Sequence, residues 1–221
     1  MITVNPLVSC IMPTANREQF IPSAIQLFLK QDYLNKELII VDDGLNSIEH
    51  LVPENNSIKY FRLPNNIKRT TGEKRNICCE KTSGEIIVHL DDDDWYAEDW
   101  ISKSVIALLE NDAAITGLSS LYFHKPTKNE SWQYTYPSND KPWVGGATMC
   151  YKKDLWRKHP FKHKLIGEDN DFVWGCSEKV FAHNYLGGFV ATVHVNNTSL
   201  KRMISNRWKA IPTSDVVTFL Q

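Results

Sequence analysis

Two short apolar runs end in clusters of carboxylates, and that pairing limits the fold more than any other feature of the chain. Leu38-Ile-Ile-Val41 runs into Asp42-Asp43-Gly44, and Glu85-Ile-Ile-Val-His-Leu90 runs into Asp91-Asp92-Asp93-Asp94. Short runs that are apolar throughout, rather than at alternate positions, fit strands covered on both faces. The stretches around them have helical spacing. Ile21, Ile25, Phe28 and Leu29 share one face behind Pro22, and Gly72 to Lys81 reads as a helix closed by Ser83-Gly84. Leu7 to Met12, stopped at Pro13, and Ile58 to Leu63 supply further strands. A helix from about Glu98 to Glu110 carries Ile101, Val105, Leu108 and Leu109. This β-α-β-α order predicts an α/β fold: a Rossmann-like, mostly parallel sheet with helices on both faces.

The second half is less regular. Leu118 to Phe123, Trp132 to Tyr136 and Val144 to Tyr151 read as strands, a short helix starts near Glu168, and Gly188 to Val195 is the last strand. Lys201 to Gln221 is a polar, mixed tail. A chain of 221 residues without repeats or a Gly-, Ser- or Pro-rich linker reads as one domain over residues 1–221.

Composition removes several classes. Lys+Arg 25 against Asp+Glu 26 gives a net charge of −1, which offers no basic field to nucleic acid. No apolar run approaches the roughly 20 residues needed to cross a bilayer. The start, Met1 to Cys10, has no basic region ahead of an apolar stretch, so the expected location is cytoplasmic. Five cysteines without a CxxC pair suit reduced, buried thiols, and the three Asn-x-Ser/Thr matches are then accidental. His159 and His163 flank Pro160 outside any HExxH, which argues against zinc. There is no GxxxxGK[ST] loop and no GxGxxG fingerprint.

In open α/β sheets ligands bind beyond the carboxyl ends of the strands, where both acid clusters fall. Two like charges about 5 Å apart repel by roughly 3 kcal/mol at an effective dielectric of 20. A divalent cation relieves that repulsion, and hard oxygen ligands suit magnesium or manganese. If the chain stays extended, Asp91 and Asp93 share one face while Asp92 and Asp94 share the other. The competing reading is a solvated acidic turn ahead of a helix. Gly72-Glu-Lys-Arg-Asn76 brings Lys74 and Arg75 to a helix start, where an anionic phosphate would be met. Gly167-Glu-Asp-Asn-Asp171 is a third acidic site, and either caps a helix or supplies a general base. His194, near the end of an apolar strand, reads locally as a hydrogen-bonded core histidine.

Taken in order, these pieces resemble the family 2 glycosyltransferases of the GT-A fold over roughly residues 7–200. The resemblance rests on Val8-Ser-Cys-Ile-Met-Pro-Thr-Ala-Asn-Arg17, Ile40-Val-Asp-Asp-Gly44, Gly72 through Asn76, Ser83 through Trp95, and Gly167-Glu-Asp169. It implies inverting transfer of a sugar from a nucleotide donor, usually a UDP-sugar, with about 7–110 as the nucleotide-binding half and about 111–200 as the acceptor-binding half. By the same resemblance Pro13, Thr14, Asn16 and Arg17 border the nucleotide, Asp43 bonds the base, and Arg75, Asp91 and Asp92 contact the donor. Asp93, with Asp91, would hold Mn2+ or Mg2+, His194 would add a late metal contact, and Asp169 would be the catalytic base. The implied acceptor is a saccharide, a lipid-linked glycan or another glycoconjugate, in assembly of a surface polysaccharide or similar product. Peripheral membrane contact is compatible with it.

The chain departs from the family pattern at Ala15, where Tyr is common, and at Leu45, where Ser is common. Arg207-Trp208 resembles the QxxRW box of processive synthases, but Ile204 holds the Gln position, which favours single addition. Trp143, ahead of Gly145-Gly146, stands out among the aromatics of the variable half. Two rival classes remain at this level: a sugar-1-phosphate nucleotidyltransferase, which would need a glycine-rich loop after the first strand, and a non-catalytic sugar-nucleotide-binding protein.

Overall fold

The larger acid cluster, Asp91 to Asp94, sits where a parallel sheet reverses its winding. The computed structural model describes residues 5–138 and 141–220. Met1 to Val4, the opening of the N-terminal reading, lie outside them, as does Gln221 of the tail. The first half runs β1 (Val8–Thr14), α1 (Ile21–Lys30), β2 (Lys36–Asp42), β3 (Ile58–Arg62), α2 (Thr71–Lys81), β4 (Ile86–His89), the short β5 (Trp95–Tyr96) and α3 (Trp100–Glu110). The second half runs β6 (Ile115–Leu118), β7 (Ser120–Lys125), β8 (Glu130–Thr135), β9 (Cys150–Lys152), α4 (Lys153–Lys158), α5 (Glu168–Gly175), β10 (Val180–His183), β11 (Phe189–Thr192), β12 (Trp208–Ile211) and α6 (Ser214–Val217).

A seven-stranded sheet has the order β10-β6-β9-β4-β1-β2-β3, with β3, β2, β1 and β4 parallel and β9 antiparallel to both neighbours. The chain steps outward from β1 to β2 to β3, then returns to lay β4 on the other side of β1. The carboxyl ends of β1 and β4 therefore flank a crevice. A second sheet, β12-β8-β7-β11-β5, crosses over the crevice side.

Alternation along the strands feeds two cores. Val8, Cys10, Met12, Leu38, Ile40 and Val88 face the buried stripe of α1 (Ile21, Ala24, Ile25, Phe28) and α3. Ile11, Ile39, Val41 and Ile87 face α2 and α5. Each such side chain contributes about 1.5–3 kcal/mol on full burial. The first cluster also includes Leu121, Phe123, Phe189 and Ala191 of β7 and β11, so both sheets share it. The α2 helix starts at a capping box: Thr70 Oγ1 accepts the Glu73 N–H, and the Glu73 carboxylate accepts the Thr70 N–H at 2.7 Å.

Several sequence expectations change. β1 does not stop at Pro13 but continues to Thr14. The Ile11 carbonyl accepts Leu90 N–H on the β4 side, and Pro13 faces that same side beyond the last β1–β4 pair, so its missing donor leaves no gap. Leu29 and Leu109 are exposed, each lying just beyond its helix's buried stripe. The strand expected over Leu118 to Phe123 is two strands, broken where the chain passes from one sheet to the other. Val144 to Tyr151 is mostly a turn with one 3-10 segment, Gly146–Thr148, before β9. The Thr148 hydroxyl fixes it, donating to Gly145 and accepting the Leu118 N–H. Gly188 to Val195 is not the last strand, because the tail folds back as β12 against β8.

Candidate active site

Past β4 the backbone turns at Asp92–Asp94 rather than staying extended, so the predicted two-faced alternation is not formed. Each carboxylate finds its own partner. Asp92, buried, accepts from Thr14 Oγ1 at 2.5 Å and Arg17 Nη1 at 2.7 Å. The same Arg17 nitrogen lies 2.9 Å from Asp93. Asp93 Oδ2 also meets His194 Nε2 at 2.9 Å and the Asn197 side-chain amide at 3.2 Å. Asp94 accepts the Thr192 N–H at 2.9 Å. Asp91 turns into the cleft, a quarter exposed, 3.7 Å from Arg75. Arg17 continues to the carbonyl of Asn196 at 3.0 Å, tying the acidic turn to the loop after β11.

Crowding raises these acids. Burial, then repulsion from Asp93, pushes Asp92 up to about 6 against the pull of Arg17. Asp91 and Asp94 are raised by the same two causes, burial leading.

The third acidic site closes the cleft from the far side. Gly72 lets α2 tuck under residues 162–168; a Cβ there would lie 1.9 Å from the Lys162 carbonyl oxygen. That approach brings Arg75 to Glu168 at 2.5 Å, both buried. Although burial opposes its charge, the carboxylates of Asp91, Glu168 and Asp169 hold the Arg75 guanidinium above its ordinary value. Burial, followed by Asp169, raises Glu168. Asp169 itself lies in the first turn of α5, and a Cβ at Gly146 would stand 2.5 Å from its Oδ2. Gly146 is held in turn by buried His89, whose Nδ1–H donates to its carbonyl at 2.6 Å. Asn170 accepts the Trp143 indole N–H at 2.7 Å, so that ring stands beside Asp169. Tyr136 stacks on Trp143 with ring centroids 5.0 Å apart.

The result is a cleft of about 390 Å³ that brings together Arg17, Arg75, Asp91, Asp93 and Asp169 of the predicted set, with Trp143 and Tyr136 on the second-sheet wall. Thr14, Asp92 and His194 stand behind that lining as its supports. Pro13, Asn16 and Asp43 are not among that lining. Pro13 lies in β1 opposite Val41, Asn16 accepts the Leu45 N–H at 2.6 Å, and Asp43 pairs with Lys74 at 3.0 Å. Arg75 is enclosed by carboxylates, and Lys74 pairs with Asp43. Asn197, Tyr96 and His89 were missed by sequence reasoning. Tyr96, which accepts the Asp91 N–H at 2.9 Å, was detectable only as an aromatic five residues beyond that acid.

Carboxylate oxygens and an imidazole nitrogen are donors a divalent cation accepts, and the crowding of like charges suits one. Among the described residues no three His, Cys, Asp or Glu side chains already converge as a cage. Asp93 and His194 are in contact, and Asp91 lines the same cleft.

The comparisons agree with this architecture. An E. coli protein, UDP-Glc:alpha-D-GlcNAc-diphosphoundecaprenol beta-1,3-glucosyltransferase WfgD, is 32% identical over 107 residues, 48% of this chain and 42% of that one. S. aureus TarS 1-349 in complex with UDP-GlcNAc superposes with a TM-score of 0.67 at 17% identity, over 86% of this chain and 60% of that one. Mannosyltransferase PcManGT from Pyrobaculum calidifontis, in complex with GDP-Man and Mn2+, gives 0.65 at 17% identity, over 86% and 57%. The chain spans less than half the length of the first curated relatives it matches. The family described as glycosyl transferase family 2 matches residues 9–186. On its own strand order, its acid clusters and that match, the chain belongs to glycosyl transferase family 2 and has the GT-A fold.

Proposed function

We propose that the chain transfers a sugar from a nucleotide-sugar donor, a UDP-sugar first, to a hydroxyl of a saccharide or glycoconjugate, with inversion at the anomeric carbon. The observation that carries this reading is one cleft with Asp91 and Asp93 on one side, Asp169 on the other and Arg75 between them. WfgD, named for a UDP-Glc donor, and TarS, bound to UDP-GlcNAc, support the choice of donor.

In this reading Asp169 accepts the proton of the acceptor hydroxyl as that oxygen bonds to the anomeric carbon. The bond from that carbon to the donor diphosphate breaks, and its electron pair leaves with the nucleoside diphosphate. General-base assistance of this kind contributes about 10²–10⁴-fold. Arg75 keeps the Glu168 and Asp169 turn at a fixed distance from Asp91, so base and donor site move as one piece. Asp93, His194 and Asp91 would hold Mn2+ or Mg2+, which supplies positive charge to the leaving diphosphate when bound. Asp92 and Thr14 hold Arg17, and Arg17 sets the position of Asp93. Trp143 and Tyr136 offer a stacking surface for the acceptor sugar next to Asp169.

The test is calorimetric titration of UDP, GDP and dTDP with and without manganese, on the wild type and Asp93→Ala, followed by UDP-sugar turnover with saccharide acceptors. The expected result is manganese-dependent UDP binding that Asp93→Ala abolishes, with transfer to an acceptor. Pyrophosphate release from a nucleoside triphosphate would overturn the reading in favour of a nucleotidyltransferase. Binding without turnover would favour a sugar-nucleotide-binding protein.

A further inference from the structure

Although the whole chain is nearly neutral, two stretches carry cations and no acids. Residues 155–167 contain Arg157, Lys158, Lys162 and Lys164 and no Asp or Glu, and each of the four pairs with an acid outside the stretch: Arg157 with Asp154, Lys158 with Glu178, and Lys162 and Lys164 with Asp171. Residues 193–214 contain Lys201, Arg202, Arg207 and Lys209 and again no Asp or Glu. They are far apart in sequence but reach opposite sides of the same cleft mouth, through Leu165 and Ile166 on one side and Thr198, Ser199 and Lys201 on the other. Both stretches present aliphatic side chains to solvent, Leu200 directly between the lining residues Ser199 and Lys201. Leu165 and Ile166 are exposed, and Val195, Leu200 and Ile204 are 90%, 78% and 85% accessible. Lys201 and Arg202 make no ion pair with any described residue. Exposed Val195, Leu200 and Ile204 beside Lys201 and Arg202 fit a surface that is apolar below and anionic above.

We propose that this rim docks on an anionic bilayer surface, with Leu200 and Ile204 entering the headgroup boundary, Lys201 and Arg202 meeting lipid phosphates, and the cleft opening toward the membrane. Charge complementarity selects this occupant: a second copy of the chain would set the same cations against one another. The inference goes beyond sugar transfer and needs no donor or acceptor to be tested.

The experiment is sedimentation of the protein with sucrose-loaded vesicles of phosphatidylcholine alone, or of phosphatidylcholine with a third phosphatidylglycerol, at low and high salt. Sedimentation with the anionic vesicles only, weakened by salt, is expected. Arg202→Gln should lower the partition coefficient roughly fivefold, and Leu200→Ser with Ile204→Ser at least about tenfold. Circular dichroism and UDP titration check that each variant is folded. If the double variant fails to fold, Arg202→Gln and the salt dependence still decide the matter. The proposal is overturned if the protein stays in the supernatant with both vesicle types. Equal sedimentation with both, untouched by the variants, would also overturn it. So would lipid-free self-association that Leu200→Ser with Ile204→Ser removes. None of these outcomes bears on nucleotide binding, which the titrations of the preceding section measure.

Discussion

Two acid clusters end neighbouring regions of the same sheet, and they do opposite things. At the end of β2, Asp42 is fully buried and its carboxylate is saturated. It accepts from the Gly44 N–H at 2.8 Å, the Tyr60 hydroxyl at 2.8 Å and Arg62 at 2.6 Å. Asp43 is closed off by Lys74. Past β4, three of the four carboxylates share two arginines, and three of the acids, Asp91, Asp93 and Asp94, line a cleft. The first cluster folds a loop; the second keeps unbalanced charge at an opening. An acidic run at a strand end therefore has no single meaning, and the supply of local donors decides which it is.

Substitutions can break this contrast. The largest effect falls on the open side: Asp169→Asn should lower sugar transfer about 10²–10⁴-fold while UDP titration and the melting temperature stay near wild type. Asp42→Ala should do the reverse. Leaving Arg62, the Tyr60 hydroxyl and the Gly44 N–H without their acceptor should cost about 3–5 kcal/mol, read as a lower urea midpoint. By contrast, Asp93→Ala should cost less stability than Asp42→Ala, because relief of repulsion among the neighbouring acids offsets part of the lost Arg17 and His194 contacts.

A third carboxylate sharpens the closed case. Glu37 at the start of β2 receives Ser9, the Ser83 N–H and Lys59, and these hold it below the usual glutamate value although burial pulls the other way. A depressed carboxylate stabilises the fold above its unfolded pKa and loses that contribution as pH falls through its folded one. Glu37→Gln should thus cost about 2 kcal/mol at neutral pH, and the gap from wild type should narrow as pH falls below about 4. The smallest effect is Trp143→Phe, which removes one hydrogen bond to Asn170. It should slow transfer about fivefold, in keeping with roughly 1 kcal/mol for such a bond, with nucleotide affinity unchanged.

Much of the first half was legible because its strands are short apolar runs and its helices carry an amphipathic stripe or a capping signal. The three acidic sites were legible as carboxylates crowded at element ends, and Asp91, Asp93 and Asp169 do share a cleft. Their partners were not legible. Which cation meets which acid can depend on side chains far apart in sequence, 75 residues for Arg17 and Asp92 and 93 for Arg75 and Glu168. The ion pair of Arg75 with Glu168 was not legible either, because it depends on the close approach at Gly72, which local spacing does not encode. The second half was harder for a different reason. β9 has three residues and β6 and β11 four each, too few to establish a period, and Gly145-Gly146 looked like part of a strand until Thr148 tied it into a turn.

The strand at the tail has a practical consequence. β12 covers the outer side of β8, with Trp208 packed on Phe123 and Tyr134 at centroid distances of 4.7 and 4.9 Å. It is four residues long and turns Lys209 to solvent, a combination that discourages further pairing. The family match ends at residue 186, ahead of both β11 and β12. A fragment trimmed to that boundary would lose an inner strand of the second sheet and bare the unpaired edge of β8, with Trp132 and Tyr134 on it. Such a fragment should aggregate edge to edge, whatever the state of its acidic cleft.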